Sequence, residues 1–209
     1  MKKLITENDV LNLIKSGLTE LVVGKDSVIS PLALDRIKQN KIKIVSQSSA
    51  TTESMDLANT KIAIGSDHTG VNAKKVLFDY LKKKGFDVID LGTFTEDAVD
   101  YPDIAFNVAN RVKIGEVGFG IILDATGIPS CITANKIPGI RAATCYNEFS
   151  ARSSREHNNA NVLVLGAKAL GDETLKSLAD VWLSSKFLGD RHQRRLDKIK
   201  AIEEKYLKS

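Results

Sequence analysis

Ile121-Ile122-Leu123-Asp124-Ala125-Thr126-Gly127-Ile128-Pro129-Ser130-Cys131-Ile132-Thr133-Ala134-Asn135-Lys136-Ile137-Pro138-Gly139-Ile140-Arg141 is the run that decides how this chain folds. It opens on the end of an apolar strand, Gly118 to Leu123, and drops abruptly into small residues carrying a carboxylate, Asp124, and a hydroxyl, Thr126. An Ala/Ile/Thr stretch able to start a helix follows, then the turn Ile137-Pro138-Gly139. In a parallel α/β sheet, ligands sit beyond the carboxyl ends of the strands. A loop that feeds a helix there turns free N–H groups toward an anion. A carboxylate at that place can move protons, although an ordinary strand-to-helix turn has the same local pattern.

The flanking sequence repeats the alternation. Lys61 to Gly65 reads as a buried strand ending at Ser66-Asp67-His68, and Val71, Val76, Leu77 and Leu81 have helical spacing up to Gly85. Phe86 to Gly92 is a second strand, and Asp100-Tyr101-Pro102-Asp103 leads a helix through Val112 that Gly115 breaks. After the third strand, Ile140 to Cys145 is a fourth and Val162 to Gly166 a fifth. Helices are expected over 149–155, 175–187 and 191–207. Strand alternating with helix predicts a parallel sheet covered on both faces, with right-handed crossovers, so that the strand ends at Asp67, Asp124 and Gly166 share one rim.

Ahead of this, Thr6-x-x-Asp9 begins a helix that Gly17 ends, Leu18 to Val23 alternates like a strand, Ser30-Pro31 begins a second helix, and Ile42 to Val45 is another strand. The expected organisation is a small α/β module over 1–45, a Ser/Thr-rich linker over 46–60 and the main domain over 61–209. Forty residues with so few core positions are marginal alone, so the module is expected to dock or to mediate oligomerisation.

At 209 residues, 43% hydrophobic and 27% charged, the chain has the composition of a globular protein. No apolar run approaches the ~20 residues that span a bilayer. The N-terminus turns acidic too soon for a secretory signal, so a cytoplasmic location is expected. Cys131 and Cys145 lack metal-ligand spacing and are read as reduced thiols; Cys145 is structural, and Cys131 is read as a packed thiol, second to Asp124 as a reactive group. The net charge of +4 arises largely near the C-terminus, where Arg191, Arg194 and Arg195 suit a phosphate better than a nucleic acid.

The candidate groups are Asp67, His68, Tyr101, Asp124, Thr126, Asn135, His157, Asn158, Arg191, His192 and Arg195, all expected at the one rim. Carboxylates, imidazoles and guanidiniums without a metal cage suit a phosphorylated polyol. Guanidiniums grip phosphate in pairs, and imidazole passes protons near neutral pH.

Six motifs in order then resemble a known family. They are Gly65-Ser66-Asp67-His68-x-Gly70, Asp100-Tyr101-Pro102, Thr126-Gly127-Ile128, Ala134-Asn135-Lys136-x-x-Gly139-Ile140-Arg141-Ala142, Arg155-Glu156-His157-Asn158-x-Ala160-Asn161-Val162-Leu163 and Gly189-x-Arg191-His192-Gln193-x-Arg195. From Lys61 to about Tyr206 the chain resembles the ribose-5-phosphate isomerase B / galactose-6-phosphate isomerase group. The resemblance implies a Rossmann-like sheet, no metal or organic cofactor, and a homodimer or tetramer with sites at the subunit interface. It implies aldose–ketose isomerisation of a phosphorylated sugar through a cis-enediolate. By the same resemblance His157 helps open the sugar ring, and Asp67 and His68 contact ring oxygens and the phosphate end. Tyr101 lines the sugar, Thr126 with the loop N–H groups from Gly127 onward stabilises the enediolate, and Asn135 and Asn158 bind hydroxyls. Arg191 and Arg195 hold the phosphate, some groups crossing from the partner.

The departures from that pattern are specific. Asp124 stands where many members have a cysteine as carbon base, and Ser130 where others have a glutamate. Pro129 replaces a usual glycine and removes one N–H. Lys168 replaces a phosphate-side arginine and loses the bidentate fork. The expectation is that Asp124 is the base, since burial can raise a carboxyl toward neutrality. Asp124-Ala125 also resembles the A-type subunit of galactose-6-phosphate isomerase, which works with a second, cysteine-bearing chain. A hexose-phosphate isomerase subunit, on galactose or allose 6-phosphate, and a weak binding partner therefore stay open as alternatives. The first sixty residues are similar to a short module that precedes several bacterial microcompartment enzymes, which would imply docking to shell or cargo proteins.

Overall fold

The computed structural model describes residues 4–15, 19–23, 27–46 and 60–207. Gly17 and most of the expected linker, 47–59, lie outside them. The chain divides into two compact units, Met1–Ser54 and Met55–Ser209.

In the first unit, β1 (Leu4–Ile5) pairs in parallel with β3 (Val28–Ile29), and β2 (Glu20–Val23) with β4 (Lys43–Ser46). The two short strands β1 and β3 carry no period long enough to be seen in sequence. Helix α1 (Glu7–Lys15) starts where Thr6 N–H and hydroxyl both donate to Asp9 Oδ2, at 2.8 and 2.7 Å. Helix α2 (Pro31–Gln39) is capped by Ser30, whose Oγ accepts from Ala33 N, and Pro31 sits in the first turn, where a missing N–H costs nothing. Ile5, Val10, Leu21, Ala33, Ile37 and Ile42 form its core.

The second unit is an α/β layer structure. Its strands are β5 (Lys61–Ser66), β6 (Asp87–Asp90), β7 (Phe119–Asp124), β8 (Ala142–Thr144) and β9 (Val162–Gly166). They form one wholly parallel sheet in the order β6-β5-β7-β9-β8. Alternate residues feed two cores. Ile62, Ile64, Ile121, Leu123, Leu163 and Leu165 face α3 (Val71–Lys83), α6 (Glu148–Asn158) and α7 (Asp172–Ser184) around the buried Trp182. Ala63, Ile122, Val162 and Val164 face α4 (Tyr101–Lys113) and α5 (Ile128–Ala134). Each large apolar side chain so buried contributes about 1.5–3 kcal/mol. Helix α4 lies close because glycines leave room: a Cβ on Gly120 would stand 2.8 Å from Val108 Cγ1.

Two consequences position the site. First, β5 is followed in space by β6 on one side and β7 on the other, so the crevice between the ends of β5 and β7 is the topological switch point. Asp67 N donates there to Leu123 O (3.1 Å). Second, helices run antiparallel to the strands they follow. Helix α6 begins at the carboxyl rim and ends at the opposite edge, three residues before β9 sets out again. The last helix, α8 (Asp190–Leu207), starts at that opposite edge, where Leu188 N donates to Glu156 O (3.0 Å).

Candidate active site

At the rim, Asp67 follows β5 directly and caps a 3-10 turn, His68–Gly70. Its Oδ1 accepts from Thr69 N (2.9 Å) and Thr69 Oγ1 (2.6 Å). The next residue, His68, accepts at Nδ1 from Val99 N (3.3 Å), which leaves Nε2 as the nitrogen that carries the ring's N–H. Tyr101 opens α4 and is exposed, with Asp100 at the cap position before it. Lys168 follows β9, exposed, its N–H on Ala125 O (3.0 Å).

Asp124 does not have the place expected of a carbon base. It is 1% exposed. Its Oδ1 accepts from Thr126 N (2.8 Å) and from Gly127 N, and its Oδ2 from Ser130 N (3.0 Å). An aspartate on the last residue of a strand folds back onto the following turn because its short side chain reaches N–H groups two to six residues on. The loop N–H groups are committed for the same reason. Thr126, Gly127 and Ser130 donate to Asp124, Ile128 N donates to Thr126 Oγ1 (3.2 Å), and Pro129 has no N–H. From Thr126 to Ser130 no main-chain donor is left for an enediolate, contrary to the sequence expectation. The Thr126 hydroxyl accepts one bond and keeps its proton to donate.

Asn135 is a second departure. It caps α5, its Nδ2 donates to Cys131 O (3.0 Å) and Ala142 O (2.9 Å), and its Oδ1 accepts from Ala142 N (2.9 Å). The amide locks α5 to β8: its Nδ2 protons are spent on the main chain, and only a second lone pair of Oδ1 is left to accept from a hydroxyl. Cys131 Sγ donates to Ala142 O (3.3 Å) and is half-buried, as a packing thiol would be.

The remaining candidates lie at the opposite edge. His157 and Asn158 are the last residues of α6, and Asn158 is exposed, with Nδ2 on Ser153 O (3.4 Å). The His157 ring stacks on His192 with centroids 4.3 Å apart and planes 5° apart, and its Nδ1 faces Ser153 Oγ (3.1 Å). Arg191 Nε donates to His192 Nε2 (3.3 Å); Arg191 and Arg195 are otherwise exposed on α8. His192, a candidate from sequence to which no role was given, is the stacking partner at this far edge, only 4% exposed. Burial first, then the charges of His157, Arg191 and Arg195, hold its pKa below the ordinary 6.5. Its Nδ1 is buried without a partner, as fits a neutral ring.

One chain therefore does not bring the expected set together. Asp67, His68, Tyr101, Asp124, Thr126, Gly127 and Lys168 are at the rim; Asn135, His157, Asn158, Arg191 and Arg195 are at the other end of the sheet. The six residue steps from Asn161 to Ala167 along β9 separate the two ends by about 20 Å. The expectation of a single rim for all of them is corrected by the direction of α5, α6 and α7, each of which runs from the rim to the far edge.

The comparisons with known proteins agree with this architecture. The family model for Ribose/Galactose Isomerase matches residues 62–199. Ribose-5-phosphate isomerase B of Escherichia coli (strain K12) is 43% identical over 145 residues, 69% of this chain and 97% of that protein. The solved ribose-5-phosphate isomerase B of Clostridium thermocellum is 51% identical, with a TM-score of 0.69 over 70% of this chain and 99% of the other. The ribose-5-phosphate isomerase B of Mycoplasma genitalium, solved with bound ribulose-5-phosphate, is 42% identical, with a TM-score of 0.66 over 69% and 96%. The chain belongs to the ribose/galactose isomerase family. It is thereby a sugar-phosphate isomerase by lineage, with the family's α/β fold from Lys61 onward and a first unit outside the matched region. Among the described residues no helix is long and apolar enough to cross a membrane.

Proposed function

We propose that this chain interconverts ribose 5-phosphate and ribulose 5-phosphate through a cis-enediolate, at a site completed by a second copy of itself. The observation that carries this is the division of the polar groups: a rim with carboxylates and a hydroxyl, and a far edge with paired imidazoles and arginines. Neither half suffices for a sugar phosphate, and within one chain about 20 Å of strand separates them. In a two-fold assembly the same two patches meet twice, rim to edge and edge to rim. Arg191 and Arg195 then hold the phosphate, His157 opens the ring, His68 binds ring oxygens with Asp67 beside it at the sugar carbons, and the Thr126 hydroxyl donates to the developing enediolate oxygen. The ligand bound in the Mycoplasma relative supports a five-carbon substrate.

The commitment of Asp124 to its own loop favours a second reading: a chain that binds sugar phosphate, pentose or hexose, and turns it over only beside a cysteine-bearing partner. Assay of the purified chain on ribose, allose and galactose phosphates separates the two. Turnover of ribose 5-phosphate by the single chain supports the first reading, and its absence with retained binding supports the second. The first unit, 1–54, is proposed to serve docking rather than chemistry, because the family core is complete without it. Its removal should change association or assembly size and leave turnover intact.

A further inference from the structure

We infer that the carboxylate carrying the proton between the two sugar carbons is Asp67, and that Asp124 is a positioning residue for the loop that bears Thr126. This deepens the isomerase reading and rests on it. A carbon base must touch a C–H bond, and Asp124 cannot: its two oxygens are engaged by three main-chain N–H groups and it is almost wholly buried. The other rim groups are excluded one by one. The Cys131 thiol donates to Ala142 O on the β8 side. His68 receives Val99 N–H on Nδ1, so its free nitrogen carries a proton and donates. Asp100 is exposed at the start of α4, where water would compete for the same proton.

Asp67 differs on each point. It stands at the switch point between β5 and β7, tied by its own N–H to Leu123 O. Thr69 takes Oδ1 with two donors and so fixes the carboxylate plane, and both of these bonds leave Oδ2 aside. The residue is 7% exposed, sheltered but not sealed, against 1% for Asp124. One carboxylate in the crevice is thus held through one oxygen; its neighbour is closed at both.

The step balances without a further reactant. Asp67 Oδ2 takes the proton from C2 of the open-chain aldose. The C–H electron pair becomes the C1–C2 double bond, and the carbonyl pair moves onto O1, opposite the Thr126 hydroxyl. The O2 proton then passes to O1 and Asp67 returns its proton to C1, leaving the ketone at C2.

The test compares Asp67→Asn and Asp124→Asn in the full-length chain, with kcat, KM and loss of deuterium from C2-deuterated ribose 5-phosphate as readouts. Asn at 67 keeps Oδ1 to accept from Thr69, so the turn survives. It should lose at least about a hundredfold in kcat and stop the isotope loss while KM moves little. Asn at 124 keeps one oxygen for Thr126 and Gly127 but opposes Ser130 N–H with an amide. It should lose less than about tenfold in kcat, raise KM and leave isotope loss coupled to turnover. Asp67→Glu, which keeps the carboxylate, should recover part of the exchange. The reverse ranking overturns the assignment and leaves the isomerase reading standing. Equal losses in both also overturn it, since a proton carrier and a loop positioner must separate in KM against kcat. A parent chain inert on every aldose phosphate removes the isomerase reading and this assignment with it.

Discussion

Mixing two inactive variants should restore activity, and the amount can be worked from the fold. Arg191 and Arg195 lie at the amino edge of the sheet and Asp67 at the carboxyl rim, separated by about 20 Å of β9. Removing both guanidiniums deletes two charge-assisted phosphate contacts, about 3–6 kcal/mol together, or at least a hundredfold in activity. Asp67→Asn costs about a hundredfold or more by itself. Each variant alone should therefore retain about 1% or less of parental turnover. If the variants are unfolded together and refolded at equal concentration, about half of the dimers are hybrids, and each hybrid has one intact site and one doubly damaged site. The mixture should recover about a quarter of the parental specific activity, far above either background. A mixture that stays at the sum of its components, with hybrid dimers demonstrated by a tag on one variant, refutes the shared site. So would a fully active species sedimenting as a monomer.

Three further outcomes follow from single features. Gly127→Ala places a Cβ at φ +82°, 2.9 Å from Thr144 Cγ2 and 3.2 Å from Gly166 N, and should cost about 2–5 kcal/mol in urea denaturation; an unchanged midpoint would contradict the loop geometry. His192 has a folded pKa below its ordinary 6.5, so as pH falls through 6.5 the unfolded chain takes up the proton first. Stability is thus full above 6.5 and declines as pH drops toward the folded value, and Tm against pH should flatten in that window in His192→Gln. A chain beginning at Met55 should unfold cooperatively by itself, since that unit holds two cores of its own; a molten far-UV melt would argue that the units share stability.

Much of the fold was legible because its signals are local. Strand-like runs at 61–65, 86–92, 118–123, 140–145 and 162–166, interrupted by helical spacing, pointed to a parallel sheet, and the five strands and their order of appearance follow from them. Ser30-Pro31 and Asp100-Tyr101-Pro102 marked helix starts by the preferences of a first turn. The pairing of Leu4–Ile5 with Val28–Ile29 was not legible, because two residues carry no period. The candidate site was legible as a set of residues and misread as a place. Asp67, His68, Tyr101 and Thr126 gather at the rim because each directly follows a strand or opens a helix. His157 and Arg191 do not, because α6, of eleven residues, and α7, of thirteen, each carry the chain back across the sheet.

Asp124 marks the limit most clearly. Its position at the end of the central strand, its family and the kind of substrate are written in residue order, because strand, turn and motif are neighbours along the chain. Whether its oxygens face a ligand or the N–H groups of Thr126, Gly127 and Ser130 depends on how six consecutive residues curl around one carboxylate. The same holds for the separation of rim from edge, and for Asn135 facing Ala142 instead of a sugar. Sequence assigns chemistry to side chains through their type and spacing; only the packed chain determines which hydrogen-bonding groups remain unsatisfied and therefore available.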